Sequence, residues 1–242
     1  ARRCADPLDA LGATAAMSAE PLAILAAAAR DWGADLDSAA LARLESYLRQ
    51  VQAKNALTNL TADDSWEPLV LKHAADGVLA AAVLRRELAA RGAAAHPRVL
   101  DLGSGGGFIG IALKIAWPEA EVTLMEAVER KFRFLNAAVA SLGLSGLRPL
   151  RRRAGGGAPR CARETRFDAV VERALAPLPE AVRLAVPLLS PRGLFAAFQS
   201  EKPDPAEPSL AKALAAERAR VLKSLAYRRP SEDRERRLVI IV

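Results

Sequence analysis

A glycine-rich turn between a short apolar segment and a helical pattern constrains the fold of this chain more than any other feature. The sequence reads VLDLGSGGG over residues 99–107 and continues as FIGIALKIA over residues 108–116. Glycine suits such a turn because the backbone can bend sharply there and a ligand can approach without meeting a Cβ atom. The pattern predicts a buried strand, a ligand-binding turn and a helix in direct succession.

Short strands and helices alternate from this turn to the end of the chain. Strands are predicted at Arg98–Leu102, Val122–Glu126, Leu147–Arg151, Phe167–Val171, Leu194–Phe198 and Arg237–Val242. Helices are predicted between them, at Ile109–Ala116, Arg130–Leu142, Pro179–Leu189 and Ser209–Leu225. Strands that alternate with helices indicate an α/β domain with a mostly parallel sheet and helices on both faces.

The chain before the turn has a helical pattern and is predicted to form an extension. Apolar residues recur there at the spacing of an amphipathic helix. Residues 1–17 are expected to be a disordered leader or the result of a misplaced start, with Met17 as the true beginning. The expected organisation is a leader (1–17), a helical N-terminal extension (18–94) and an α/β domain (95–242).

The charge and the cysteine content restrict the partners and the compartment. With 35 basic and 28 acidic residues the chain has a net charge of +7 and a pI near 9.9, which favours a polyanionic partner such as nucleic acid. Cys4 and Cys161 give neither a metal-ligand spacing nor a disulfide framework. Apolar runs such as Val78–Leu84 are too short to span a membrane. We expect a cytoplasmic protein that binds neither a metal nor a membrane.

Two classes of ligand fit the glycine-rich turn. Residues 105–110 satisfy the G-x-G-x-x-G pattern of dinucleotide-binding proteins, and residues 101–107 equally fit the acidic-x-G-x-G-x-G turn of class I methyltransferases. Asp101 favours the second class, because its carboxylate would repel a pyrophosphate but attract the cationic part of S-adenosylmethionine. Glu126 can accept both ribose hydroxyls in either case and does not discriminate.

Five ordered segments make the whole chain similar to one known family. They read KNALTNLT (54–61), KHAAD (72–76), LMEAVERKFRFL (124–135), FDAVVERA (167–174) and RLVII (237–241). The first four resemble the patterns NK-x-x-NLT, RH-x-x-D, L-acidic…KR-x-x-FL and FD-x-V-x-SRA of the RsmG (GidB) family of bacterial 16S ribosomal RNA guanine-N7 methyltransferases. The fifth resembles the family's last strand, and the resemblance runs from about Leu41 to Val242.

The resemblance implies a fold, a cofactor and a reaction. The fold is the class I methyltransferase Rossmann-like fold, an α/β fold with a mostly parallel seven-stranded sheet, helices on both faces and a helical N-terminal extension. The cofactor is S-adenosyl-L-methionine, and the substrate is a guanine in the 530 loop of 16S rRNA in the small ribosomal subunit. Because N7 of neutral guanine already carries a lone pair, in-line transfer needs no general base and relies on proximity and electrostatics. We expect a monomer.

The resemblance also implies roles for individual residues. The expected cofactor-binding residues are Asp101, Gly103, Ser104, Gly105, Gly107, Phe108, Glu126, Arg153 and Arg173. Arg173 is in addition the candidate for holding RNA phosphate or the guanine, and His73 and Asn59 are expected to face the active site as catalytic residues. The basic run Arg151–Arg153 is a candidate for contact with the RNA backbone.

The chain departs from the family at three places, and alternative functions stay open. Ile109 stands where the family has a proline, Gln199-Ser200 replaces a lysine-glycine pair with Lys202 three residues after Gln199, and an acidic residue is replaced around Ala154–Gly157. The alternatives are a methyltransferase that acts on a small molecule or a protein, and a nicotinamide-dependent oxidoreductase. A third alternative is a non-catalytic ribosome-binding protein with a degenerate turn.

Overall fold

A computed structural model describes residues 7–155 and 166–242, with side chains from residue 19 onward. Cys4, Cys161 and the end of the segment Ala154–Gly157 lie outside the described residues. The first helix, α1, spans Pro7–Trp32 and so begins inside the segment 1–17. The proposed division of the chain near residues 17 and 94 stays a prediction.

Helices make up the extension after α1. They are α2 (Ser38–Thr58), one turn α3 (Trp66–Pro68), a π-helical turn (Leu69–Ala74) and α4 (Ala75–Ala89). The last three follow one another without a break, and π-helical turns are uncommon and occur often at functional sites. Within the described ranges, no helix is long and apolar enough to cross a membrane.

Strands and helices alternate in the α/β domain. The strands are β1 (Arg98–Leu102), β2 (Glu121–Glu126), β3 (Leu147–Arg151), β4 (Phe167–Arg173), β5 (Leu189–Gln199), β6 (Val221–Tyr227) and β7 (Arg236–Ile241). The helices are α5 (Phe108–Ala116), α6 (Glu129–Leu142), α7 (Leu178–Ala185) and α8 (Pro208–Ala216), with a 3-10 turn (Val186–Leu188) before β5.

The strands of the described ranges form one seven-stranded sheet in the order β3-β2-β1-β4-β5-β7-β6. Neighbouring strands are parallel except at β7, which is antiparallel to both β5 and β6. The direction of the strand order reverses between β1 and β4, and ligands of open α/β sheets bind beyond the carboxyl ends of the strands at such a point. The predicted class I methyltransferase fold is confirmed.

Buried apolar side chains on the two faces of the sheet hold two helical layers. Val99 and Val122 face a cluster that contains residues of α1, α2, α4, α5 and α6, whereas Leu100 and Val170 face α7 and α8. Because successive side chains of a strand point to opposite faces, one short strand serves both clusters. The extension therefore packs directly on the α/β domain and shares its core.

One sequence prediction fails at the edge of the sheet. The helix predicted over Ser209–Leu225 is wrong beyond Ala216, where α8 ends, and Val221–Tyr227 forms the edge strand β6. The chain leaves the helix through Arg218, whose φ is 53°, although glycine is the usual residue at such a position. No sequence signal therefore marks the end of the helix, and the mostly half-exposed edge strand lacks the alternation that would identify it.

Candidate active site

A cavity of about 710 Å³ opens where β1, β4 and β5 end. Its wall contains the turn after β1, Arg173 at the end of β4, and Gln199 and Ser200 at the end of β5. The extension contributes Leu60 and, from the π-helical turn, Lys72 and His73 to the same wall. The site therefore combines the carboxyl edge of the sheet with the helical extension.

The glycines of the turn are required by backbone geometry and by close packing. Gly103, Gly105 and Gly107 have φ values of 76°, 58° and 88°, which disfavour residues with a Cβ atom. A Cβ atom at Gly107 would also lie 2.7 Å from Ile111 Cδ1, whereas at Gly105 it would meet nothing within 4 Å. Gly105 lines the cavity, so its main chain is open to a ligand there.

Glu126 at the end of β2 accepts hydrogen bonds from the backbone of the glycine turn and of the loop after β2. The backbone N–H of Gly105 donates to Glu126 Oε2 at 2.9 Å, and the N–H of Val128 donates to Oε1 at 2.6 Å. Ser104 is held by a hydrogen bond from its hydroxyl to the carbonyl of Asp101 at 2.9 Å. Each carboxylate oxygen of Glu126 retains a second lone pair, which suits a further donor such as a ribose hydroxyl.

Asp101 lies beneath the turn and outside the cavity wall. Its side chain accepts a hydrogen bond from the backbone N–H of Gly110 at 2.9 Å, and the residue is 2% exposed. Burial raises the pKa of this carboxyl to about 6, so it is mostly ionised at neutral pH. The structure thus places a negative charge directly under the glycine turn.

A buried ion cluster lies behind Arg173. Asp76 of α4 is fully buried and accepts hydrogen bonds from Arg173 at 2.8 Å, from Arg229 at 2.6 and 3.0 Å, and from the hydroxyl of Tyr227 at 3.0 Å. Burial on its own raises the pKa of Asp76, but the hydrogen bonds and charges of Arg229 and Arg173 outweigh it and lower the pKa below its usual value. The cluster fixes the end of β4 against the extension.

His73 lies between Arg173 and the loop that follows α2. Its Nε2 is 2.8 Å from Asp63 Oδ2 and 3.0 Å from the hydroxyl of Thr61, and its Nδ1 is 2.6 Å from Arg173 Nη2. Burial, followed by the charge of Arg173, lowers the pKa of His73 to about 4. His73 is therefore uncharged at neutral pH.

Phe108 packs against these residues at the start of α5. Its ring centroid lies 4.4 Å from that of His73 and 6.4 Å from that of Tyr47, and the Arg173 guanidinium carbon is 5.9 Å from the ring. Phe108 also lines the cavity. The structure thus brings together His73, Phe108, Arg173 and the glycine turn, and their roles stay predictions.

Besides Asp101, several residues with predicted roles are not part of the cavity wall; they are Gly107, Glu126, Asn59, Arg153 and Lys202. Asn59 ends α2 in a left-handed conformation with a φ of 50° and is exposed, although the next residue, Leu60, lines the cavity. Arg153 and Lys202 are likewise exposed. Their functional assignments stay predictions.

Several residues that complete the site have no role in the sequence interpretation. They are Tyr47, Asp63, Lys131, Glu172, Arg229 and Arg236. Asp76 was quoted only within a motif, but it has a detectable signal, because it is the one charged residue in the apolar stretch 74–84 and a buried carboxylate needs partners. Tyr47 has no such signal, because its hydroxyl donates to a backbone carbonyl, that of Gly106, 59 positions away.

Glu172 is a further buried carboxyl at the end of β4, where the family pattern has a serine. Its Oε2 accepts the backbone N–H of Leu175 at 3.1 Å, and the Leu175 side chain packs beside Gly103. Burial raises the pKa of Glu172 to about 7. This carboxyl supports the loop after β4 and does not line the cavity.

Positive charge dominates the cavity wall. Among the described residues that line it, five are cationic and none is acidic; the cations are Lys72, Lys131, Arg173, Arg229 and Arg236. Four of them have carboxylate partners, whereas Lys131 of α6 has none in the described part of the chain. The described residues contain no group of three or more His, Cys, Asp or Glu side chains that could hold a metal ion.

Comparison with solved structures finds methyltransferases of low sequence similarity. Fibrillarin from Aeropyrum pernix, solved with natively bound S-adenosyl-L-methionine, matches with a TM-score of 0.48 and 17% identity over 65% of this chain and 74% of that chain. The Bacillus subtilis tRNA methyltransferase TrmK matches with a TM-score of 0.48 and 12% identity over 65% of this chain and 64% of that chain. TM-scores below 0.5 at such low sequence identity do not indicate a shared function.

Comparison at the level of sequence is far more specific. The family described as rRNA small subunit methyltransferase G matches residues 40–235. A protein named ribosomal RNA small subunit methyltransferase G from Myxococcus xanthus is 36% identical over 216 residues, which cover 89% of this chain and 94% of the relative. A protein of the same name from a Geobacter species is 34% identical and covers 90% of this chain and 95% of the relative.

Proposed function

The chain belongs to the rRNA small subunit methyltransferase G family, and from this premise we propose that it transfers a methyl group from S-adenosyl-L-methionine to N7 of a guanine in 16S ribosomal RNA. The proposed target is the guanine in the 530 loop that the family resemblance implies. One observation carries the proposal. The glycine turn lies above the carboxylate of Asp101 and borders a cavity whose wall contains several cationic side chains.

The turn fits S-adenosylmethionine better than it fits a dinucleotide. Asp101 places a carboxylate under the turn, where it disfavours the negative charge of a pyrophosphate and favours a sulfonium or an ammonium group. The unused lone pairs of the Glu126 carboxylate would accept hydrogen bonds from the ribose hydroxyls. The open main chain of Gly105 would allow the cofactor to approach closely. When bound, the cofactor supplies a methyl group on a positively charged sulfur.

The cavity wall supports RNA as the substrate. Its cations are suited to phosphate groups, which supply much of the affinity of proteins for nucleic acid. Arg173 is proposed to hold a phosphate or the guanine itself, because its guanidinium lines the cavity. The exposure of Arg153 supports contact with the RNA backbone over contact with the cofactor, and exposed Asn59 is proposed to meet the RNA beside the cavity.

The state of His73 is consistent with transfer to N7. Its Nδ1 lone pair is occupied by Arg173 and its Nε2 is bonded to Asp63, so this side chain is not free to remove a proton from a substrate. Guanine N7 needs no such removal. The residues of the cavity would instead orient the base and exclude water, which can supply most of the acceleration.

Two measurements test this function. Calorimetry should show binding of S-adenosylmethionine and none of NADH, and Glu126→Ala should weaken that binding at least tenfold while Glu180→Ala, an exposed site on α7, should not. Labelled methyl should pass to small ribosomal subunits in a reaction that pretreatment with RNase abolishes. Transfer that survives RNase would point to a protein or small-molecule substrate, and NADH binding would support the oxidoreductase.

A further inference from the structure

Two side chains of the extension hold the Arg173 guanidinium at both of its terminal nitrogens. His73 and Asp76 are three positions apart in a continuous helical segment, a spacing that places them on one face. Arg173 Nη1 donates to Asp76 Oδ2 at 2.8 Å, and Nη2 donates to His73 Nδ1 at 2.6 Å. The segments 73–76 and 172–174, which resemble the H-x-x-D and S-R-A parts of the family pattern, are therefore in direct contact.

The contacts of His73 are compatible with one neutral tautomer. A carboxylate can only accept, so the Nε2 that faces Asp63 Oδ2 at 2.8 Å must carry a hydrogen. A guanidinium can only donate, so the Nδ1 that faces Arg173 must present its lone pair. Asp63 is fixed in turn by Lys72, whose ammonium lies 2.7 Å away.

The surroundings of His73 keep this tautomer uncharged. Burial and the charge of Arg173 lower the pKa of His73, and Lys72 lowers it further, whereas Asp63 alone among its near neighbours raises it. The ring of Phe108 covers one face of the imidazole at a centroid distance of 4.4 Å. His73 is therefore both fixed in orientation and uncharged at neutral pH.

The hydrogen bonds to His73 and Asp76 leave Arg173 able to bind a substrate. Two of its five N–H groups are used by His73 and Asp76, and the side chain remains 17% exposed at the cavity. Asp76 is fully buried behind it and shared with Arg229. Of the two residues that hold Arg173, only His73 lines the cavity.

We propose that His73, oriented by Asp63, is a neutral hydrogen-bond acceptor that positions the Arg173 guanidinium for the target nucleotide. The proposal rests on the proposed function and makes His73 a positioning residue instead of an acid or a base. It assigns Asp63 the task of selecting the tautomer. Loss of the acceptor would let the guanidinium rotate away from its place in the cavity wall.

The experiment is single-turnover methyl transfer to small subunits from a strain that lacks the modification. His73→Leu removes the acceptor and should slow transfer roughly 10- to 100-fold, as a displacement of about 1 Å can. His73→Asn places an amide oxygen close to the position of Nδ1 and should recover most of that loss. The double variant His73→Leu/Arg173→Ala should be no slower than Arg173→Ala, because His73 acts through Arg173. Calorimetry should show unchanged affinity for S-adenosylmethionine in His73→Leu and His73→Asn.

His96 provides the matched control, since it is the chain's other histidine and is exposed, so His96→Leu should leave transfer unchanged. Nitrogen NMR of the wild-type protein tests the geometry without any variant, and we expect a hydrogen on Nε2 and none on Nδ1 of His73 at pH 7. The opposite tautomer, an equal defect in the Asn and Leu variants, or multiplicative losses in the double variant would overturn the proposal. Absence of transfer by the wild-type protein would instead contradict the proposed function.

Discussion

The hydroxyl of Tyr47 in the extension donates a hydrogen bond to the carbonyl of Gly106 in the glycine turn, across a distance of 2.8 Å. Both partners are buried, and Phe108 lies against the same tyrosine ring. The turn is thus held from two sides, by Glu126 from the sheet and by Tyr47 from the extension. Removal of the extension would therefore remove one of these two contacts.

Tyr47→Phe should weaken both folding and cofactor binding. The variant keeps the ring but leaves the Gly106 carbonyl without its partner, which costs on the order of 1–3 kcal/mol when the group is buried. Urea unfolding should show this loss, and calorimetry should show a lower affinity for S-adenosylmethionine. Wild-type values in both measurements would show that the extension does not support the turn.

Asp76→Asn should be among the most destabilising single substitutions in the chain. It leaves Arg173 and Arg229 close together without their shared counter-charge, and removal of one partner from a buried ion pair costs about 3–5 kcal/mol. Asp204→Asn, at an exposed site, should change stability by no more than about 0.5 kcal/mol. Urea unfolding of the two variants at pH 7 compares them, and similar midpoints would contradict the role of the cluster.

His73 should make the folded protein sensitive to acid below neutral pH. Its pKa is about 4 in the folded state, whereas an unfolded chain takes up this proton near pH 6.5, as is typical of histidine. Between these values the unfolded state binds more protons, so stability falls as the pH falls. Between pH 7 and pH 5 the wild-type protein should lose roughly 2 kcal/mol more than His73→Asn.

Urea unfolding at the two pH values measures this difference directly. His96→Asn serves as the control, because His96 is exposed and its substitution should leave the wild-type pH dependence intact. An equal loss in the wild-type protein and in His73→Asn would mean that His73 titrates in the folded state much as it does in the unfolded chain.

Lys131→Ala should weaken RNA binding in a salt-dependent manner. Lys131 is the cation of the described cavity wall that has no carboxylate partner, so it is available for a phosphate. Loss of one phosphate contact should reduce the slope of log affinity against log salt by about 0.7–0.9. Titration of small subunits at several salt concentrations measures the slope, with exposed Lys212→Ala on α8 as the control. An unchanged slope would place Lys131 outside the RNA interface.

Local sequence patterns predict six of the seven strands in the described sheet, and only β6 is missed. The family resemblance is confirmed, and β1 and β3 have the predicted bounds. The strand β6 is not predicted because the end of α8 is not marked by a glycine. Arg218 adopts the left-handed conformation in which glycine usually follows a helix. The sequence of β6, VLKSLAY, also lacks the regular alternation of apolar and polar residues on which strand prediction depends.

The candidate site is predictable to the extent that each residue belongs to a motif. Arg173 and His73 are identified in this way, although they are 100 positions apart. Their hydrogen bond, its consequence for the charge of His73, and the role of Asp63 depend on the approach of two distant segments. Such contacts follow from tertiary packing and have no local pattern.

The most direct test of the account is identification of the methylated nucleoside. Small subunits from a strain that lacks the modification are incubated with the protein and labelled S-adenosylmethionine, and the digested RNA is analysed for its labelled product. The account predicts 7-methylguanosine at one site in 16S rRNA, with strongly reduced labelling by Arg173→Ala. Label in another nucleoside, or in protein, would contradict the proposed reaction while leaving the methyltransferase fold in place.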